Sequence, residues 1–124
     1  MKKFIVTFLF TFLLSSSYVF AQAPANDECS GATVISALPY NAAQNTRLAT
    51  ANVNDPNPSC NDTNALGKAV WYKYTPTTNQ GVYFSTIGST PTADFDVILS
   101  LWTGTCGSLT EVKCNDDAKS TRQA

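Results

Sequence analysis

Apolar and polar positions alternate in short runs along most of the chain, the period of a half-buried β-strand. The clearest run is residues 95–102 (FDVILSLW). Phe95, Val97, Leu99 and Leu101 fall on one face, opposite Asp96, Ile98, Ser100 and Trp102. This predicts a strand whose Phe95 face points into a core. Residues 69–75 (AVWYKYT) predict a second, aromatic and β-branched strand, with Val70, Tyr72 and Tyr74 on one side and Trp71, Lys73 and Thr75 on the other. Lys73 marks its own side as the wetter one. Residues 32–36 (ATVIS), 81–87 (GVYFSTI) and 109–114 complete the strand set, the last returning antiparallel to its predecessor, and 46–51 carries a weaker pattern.

Turn chemistry separates these runs. Residues 52–67 are rich in Asn, Asp and Pro, 76–80 and 88–92 are short turns, and 103–108 is a glycine-containing loop. No helical period occurs beyond the N-terminal segment. The pattern predicts an all-β fold, an antiparallel β-sandwich of jelly-roll type. About six strands are placed before Ala124, which would leave the inner face unfilled. The expectation is an incomplete sandwich and a sequence that opens a longer protein.

The first 21 residues read as a signal peptide. Lys2 and Lys3 form its positive region and residues 4–14 its apolar region; Val19-Phe20-Ala21 or Ala21-Gln22-Ala23 supplies the cleavage site, with cleavage after Ala21 favoured. The apolar run is short and is followed by Ser15, Ser16 and Ser17, so a membrane anchor is the poorer reading. Residues 22–28 are a polar lead-in, 29–117 the β module and 118–124 a polar tail. Formal net charge is −1, and loss of Lys2 and Lys3 leaves about −3. The remaining basic residues are scattered, which excludes the clustered charge that nucleic-acid binding needs.

Cys29, Cys60, Cys106 and Cys114 all lie past the cleavage site. Four cysteines in a small exported domain indicate two disulfides, for which three connectivities exist. Cys29–Cys60 and Cys106–Cys114 are expected, since each closes a local loop between strand ends. Such loops contribute roughly 2.5–4 kcal/mol each in the chain-entropy account. Zinc is disfavoured by the lack of a CxxC and of any histidine.

Four segments carry a family resemblance. ANDECSGAT, AVWYKYT, FDVILSLWTGTCGSL and EVKCNDD, in this order, resemble the bacterial pre-peptidase C-terminal domain family, in the variant repeated in large secreted proteins of Bacteroidetes-type bacteria. The likeness covers about Pro24 to Asp117. It implies a jelly-roll β-sandwich attached to exported peptidases and adhesin-like proteins as a non-catalytic module that aids secretion or binds an extracellular polymer. That family continues past the NDD segment with further strands, including an aromatic-rich one.

Candidate chemistry is sparse. Without histidine, Ser-His-Asp and Cys-His catalysis are out of reach. Asp94 and Asp96 would share a strand face roughly 6.6 Å apart, near glycosidase spacing, but neighbouring positions on one strand do not readily flank a substrate. Two oxygen-rich clusters, Asn26-Asp27-Glu28 and Asn115-Asp116-Asp117, with Asp96 able to join either, suit calcium as a cofactor. Asn26, Asp27, Asp96, Asp116 and Asp117 are the candidate ligands, and ordinary polar turns are the alternative. Trp71 and Trp102, with Tyr40 and Tyr83, would supply a stacking platform for sugar rings, or would pack against further strands. Taken together, the residues point to a secreted or cell-surface accessory module and not an enzyme. Its partners would be attached domains of the same protein and an extracellular polysaccharide or protein, with no nucleic acid and no membrane after signal cleavage. An adhesive or structural repeat is the alternative, and a small glycoside hydrolase the third reading.

Overall fold

The structure, a computed structural model, describes residues 22–63, 67–89, 96–117 and 124. The expected signal peptide (residues 1–21), Asp94, Phe95 and residues 118–123 of the expected tail lie outside the described residues. What is described is all-β apart from one 3₁₀ turn, Cys29–Gly31. Strands β1 (Thr33–Ile35) and β2 (Tyr72–Tyr74) form one sheet; β3 (Leu99–Thr105) and β4 (Ser108–Asn115) form another.

β1 is a β-branched triplet, and it starts where the 3₁₀ turn delivers the chain. That turn needs glycine at 31, because a Cβ there would sit 2.5 Å from the Ala25 carbonyl oxygen. Asn26 then extends the ladder. Its carbonyl accepts from the Trp71 amide (2.8 Å), and its side-chain amide donates to the Trp71 carbonyl (3.1 Å), which also accepts from Thr33 (3.0 Å). The β1–β2 pair is parallel, Thr33 opposite Tyr72 and Ile35 opposite Tyr74, which corrects the expectation of antiparallel pairing. A connection of about 36 residues separates the two strands, ample for the crossover that a parallel pair requires. Lys73 and its partner Val34 are exposed while Tyr72 and Tyr74 are half-buried, so the expected wet side holds.

β3 and β4 make a tight hairpin around Cys106-Gly107, and Gly107 takes the positive φ (86°) of the turn. β3 runs further toward the turn than residues 95–102 predicted, since the ladder extends to Thr105 opposite Ser108. Gly104 has φ 112°, and a Cβ on it would meet the Ser108 carbonyl oxygen at 2.4 Å. The register slips between Leu101 and Trp102, leaving Val112 as the extra residue of a bulge. The slip shifts the alternation, so Leu109, Glu111 and Cys114 share one face with Ser100 and Trp102. These five are half-buried, whereas Lys113 and Val112 are exposed.

This reverses part of the predicted burial. Leu101 is 41% exposed, and Val97 and Leu99 are only half-buried. The face bearing Trp102 and Ser100 is the one tethered to the rest of the chain. The tether is covalent: the disulfides are Cys29–Cys106 and Cys60–Cys114, not the expected Cys29–Cys60 and Cys106–Cys114. Hairpin geometry explains the correction. Cys106 lies in the turn, while Cys114 stands opposite Ser100 near the open end. Six strand positions from Ser108 to Cys114 span about 20 Å, too far for Cys106 and Cys114 to bond.

Two predicted strands do not form. Residues 46–51 turn instead, with Ala49 donating to Thr46 and the Arg47 amide to the Asn45 side chain. Asp27 claims the Thr50 amide and hydroxyl, both at 2.7 Å. Residues 81–87 belong to no ladder; the Thr86 amide donates to the Ala124 carbonyl, and a turn with Gly88 at φ 99° follows. Among the described residues no large side chain is fully buried, and the buried hydrophobics are Ala49 and Ala124.

Candidate functional site

Tyr40, Trp71, Tyr72, Tyr83 and Trp102 all border open space that extends along much of the described surface, Trp71 and Tyr72 from opposite sides of one segment. Tyr40 meets Tyr72 edge to face, ring centroids 6.2 Å apart, the arrangement the aromatic quadrupole favours. Burial holds the Tyr72 hydroxyl above its ordinary pKa, with the polar Asn26 side chain opposing the rise and Tyr40 adding to it. Tyr74 accepts a hydrogen bond from Gln80 (2.6 Å) at the margin. Tyr83 is 82% exposed. Tyr40 and Tyr83, named from the sequence, are exposed, and Tyr72 and Tyr74 lie nearby on β2. Their alternate spacing on one strand was the available signal.

The two tryptophans differ from that expectation. Both are half-buried, Trp102 within β3 and Trp71 immediately before β2. The Trp102 indole N–H donates to Ser100 (2.8 Å), which fixes its ring on the tethered face of the hairpin. The Trp71 indole N–H and Oδ2 of Asp55 are both shut off from solvent. The indole N–H lies near enough to favour the Asp55 carboxylate, yet neither atom completes a hydrogen bond. Burial, then the charge of Glu28, pushes the Asp55 pKa up against the lowering influence of Trp71 and Asn52, with Asp27 adding to the rise. Nothing in the sequence marks Asp55, which sits within an Asn- and Pro-rich loop.

Of the five oxygen-bearing residues proposed as ligands, three meet. Asp96, Asp116 and Asp117 place carboxylate oxygens within 4.8 Å of one another. Burial, and then the charges of Asp96, Asp117 and Asp62, push the Asp116 pKa up. Asn26 and Asp27 do not join them. Both are buried and committed, Asn26 to Trp71 and Asp27 to Thr50, so the alternative reading of a polar turn applies to that cluster. Three carboxylates fall short of the six to eight oxygens calcium takes. Asp96 is exposed on one side of the cluster, and its expected companion Asp94 lies outside the described residues.

No family model matches the chain, and neither a curated protein nor a solved structure matches it.

Proposed function

We propose that this chain is a non-catalytic extracellular module, a β-sandwich of jelly-roll type, whose exposed aromatic side chains bind an extended polymer, a polysaccharide in first place. One observation carries the reading: Tyr83 stands 82% exposed, and the exposed Tyr40 meets Tyr72 edge to face at 6.2 Å, so flat rings with polar tips are open to a ligand. Flat rings with polar tips suit sugar rings, which present apolar C–H faces between hydroxyls. Two disulfides support an oxidising, exported setting. No helix among the described residues is long and apolar enough to cross a membrane. The absence of histidine from the sequence, and an Asp96 drawn into a one-sided carboxylate cluster, favour binding over glycoside hydrolysis, where two carboxyls must flank the scissile bond. The likeness of the four segments to the pre-peptidase C-terminal domain points the same way.

The test is retention of the full chain on insoluble polysaccharides, with Tyr83→Ala and Trp102→Ala beside the parent. Tyr83 is so exposed that its replacement leaves folding intact. Loss of retention in Tyr83→Ala with an unchanged melting temperature supports the platform. Retention unaffected by either change removes it. A second reading, an adhesive repeat that contacts protein, draws on the 67% exposure of Val34 on the short β1–β2 pair. Absence of binding to any polysaccharide, together with self-association on a sizing column, would favour it.

A further inference from the structure

We propose that the domain closes as two pieces fastened by oxidation, so that closure waits until the chain leaves a reducing compartment. This inference is independent of what the exposed aromatic side chains bind. One piece carries β1, β2 and the loops to residue 89; the other is the β3–β4 hairpin. Strand pairing is internal to each, since β1 pairs with β2 and β3 with β4. Both disulfides run between the pieces, Cys29–Cys106 at the turn end of the hairpin and Cys60–Cys114 at its open end. The hydrogen bonds seen between the pieces cluster at the second bond: the Ser59 amide donates to the Glu111 carboxylate (3.1 and 3.2 Å), and the Cys60 amide to Cys114 Sγ (3.3 Å). No large side chain among the described residues is fully buried.

The chemistry is two rounds of thiol–disulfide exchange. In each, a pair of cysteine thiols gives up two protons and two electrons to an oxidant disulfide, which leaves as two thiols. Any exported oxidoreductase or small-molecule disulfide serves as oxidant. The bonds also help one another. Cys29 and Cys106 are 77 residues apart in the free chain. Once Cys60–Cys114 has formed, the path between them shortens to about 40 residues, which by loop-closure scaling favours the second bond about threefold.

Hydrogen exchange on the full chain tests this in four forms: oxidised, reduced, and the paired variants Cys29→Ser/Cys106→Ser and Cys60→Ser/Cys114→Ser. Reduction is expected to accelerate exchange in residues 55–62 and across the hairpin at least tenfold, with protection returning on re-oxidation by glutathione disulfide. Residues 55–62 should loosen in Cys60→Ser/Cys114→Ser and stay protected in Cys29→Ser/Cys106→Ser. In Cys60→Ser/Cys114→Ser the remaining bond should form about threefold more slowly. A reduced chain whose protection stays within twofold of the oxidised form overturns the proposal.

Discussion

Gly104→Ala is the sharpest perturbation of the hairpin that presents Trp102. Two independent penalties meet at this position. Its φ of 112° lies where an L side chain is strained, at a cost of order 1–3 kcal/mol. The new Cβ would also stand 2.4 Å from the Ser108 carbonyl oxygen and 3.5 Å from the Leu109 Cα. Those atoms belong to the partner strand and cannot rotate aside, so overpacking adds about 1–3 kcal/mol. A total of roughly 3 kcal/mol corresponds to a fall in melting temperature of about 12–24 °C for a domain near 100 residues. Gly107→Ala is the matched control. Its φ of 86° also carries strain, but its Cβ meets nothing within 4 Å, so about 1 kcal/mol is expected. Thermal unfolding of the oxidised chain, with thiol titration confirming both disulfides, gives the comparison. If Gly104→Ala melts within two or three degrees of the parent, or Gly107→Ala is the more damaging, the hairpin register described above is wrong.

Three further outcomes follow from the same contacts. Asp27→Ala should destabilise by about 1 kcal/mol, because it removes the two bonds the buried Asp27 accepts from the Thr50 amide and hydroxyl; chemical denaturation reads this, and no measurable change would contradict it. Glu111→Gln should weaken the tie to the Ser59 amide by about 1 kcal/mol and speed exchange of that amide while leaving β1 and β2 unaffected. Asp116→Asn should raise the melting temperature at pH 7. The folded-state pKa of Asp116 is raised, so its ionised form opposes folding at neutral pH. That penalty fades as pH falls through the raised value toward 3.8, and the advantage of the amide variant should fade with it. If instead the parent gains stability from added calcium and Asp116→Asn loses that gain, the three carboxylates hold an ion.

The sequence carried the local elements well where the pattern itself decides. The β-branched triplet at 33–35, the Tyr72–Tyr74 alternation and the return of 109–114 against 99–105 all form. Longer-range features were less accessible. One inserted residue, Val112, rotates half of β4 and so changes which side of the hairpin is tethered; alternation counted along a single strand cannot register it. Disulfide pairing follows from where a hairpin turns, and Cys106 at the turn and Cys114 at the far end are neighbours only in sequence. The strand at 46–51 was lost to Asp27, whose carboxylate reaches across 23 positions to take the amide a ladder would have used. The sequence left Asp96 able to join either acidic cluster; it lies beside Asp116 and Asp117, because residues 96 and 116 flank the two ends of one hairpin. Asp55 beside Trp71 was not legible, since a loop built of turn residues announces no partner.

The direct measurement is mass analysis of the exported chain, digested without reduction. Cross-linked peptides joining Cys29 to Cys106 and Cys60 to Cys114 are expected, with no free thiol. Peptides joining Cys29 to Cys60 and Cys106 to Cys114, or four unmodified cysteines, would mean that no clasp holds the hairpin to the first sheet.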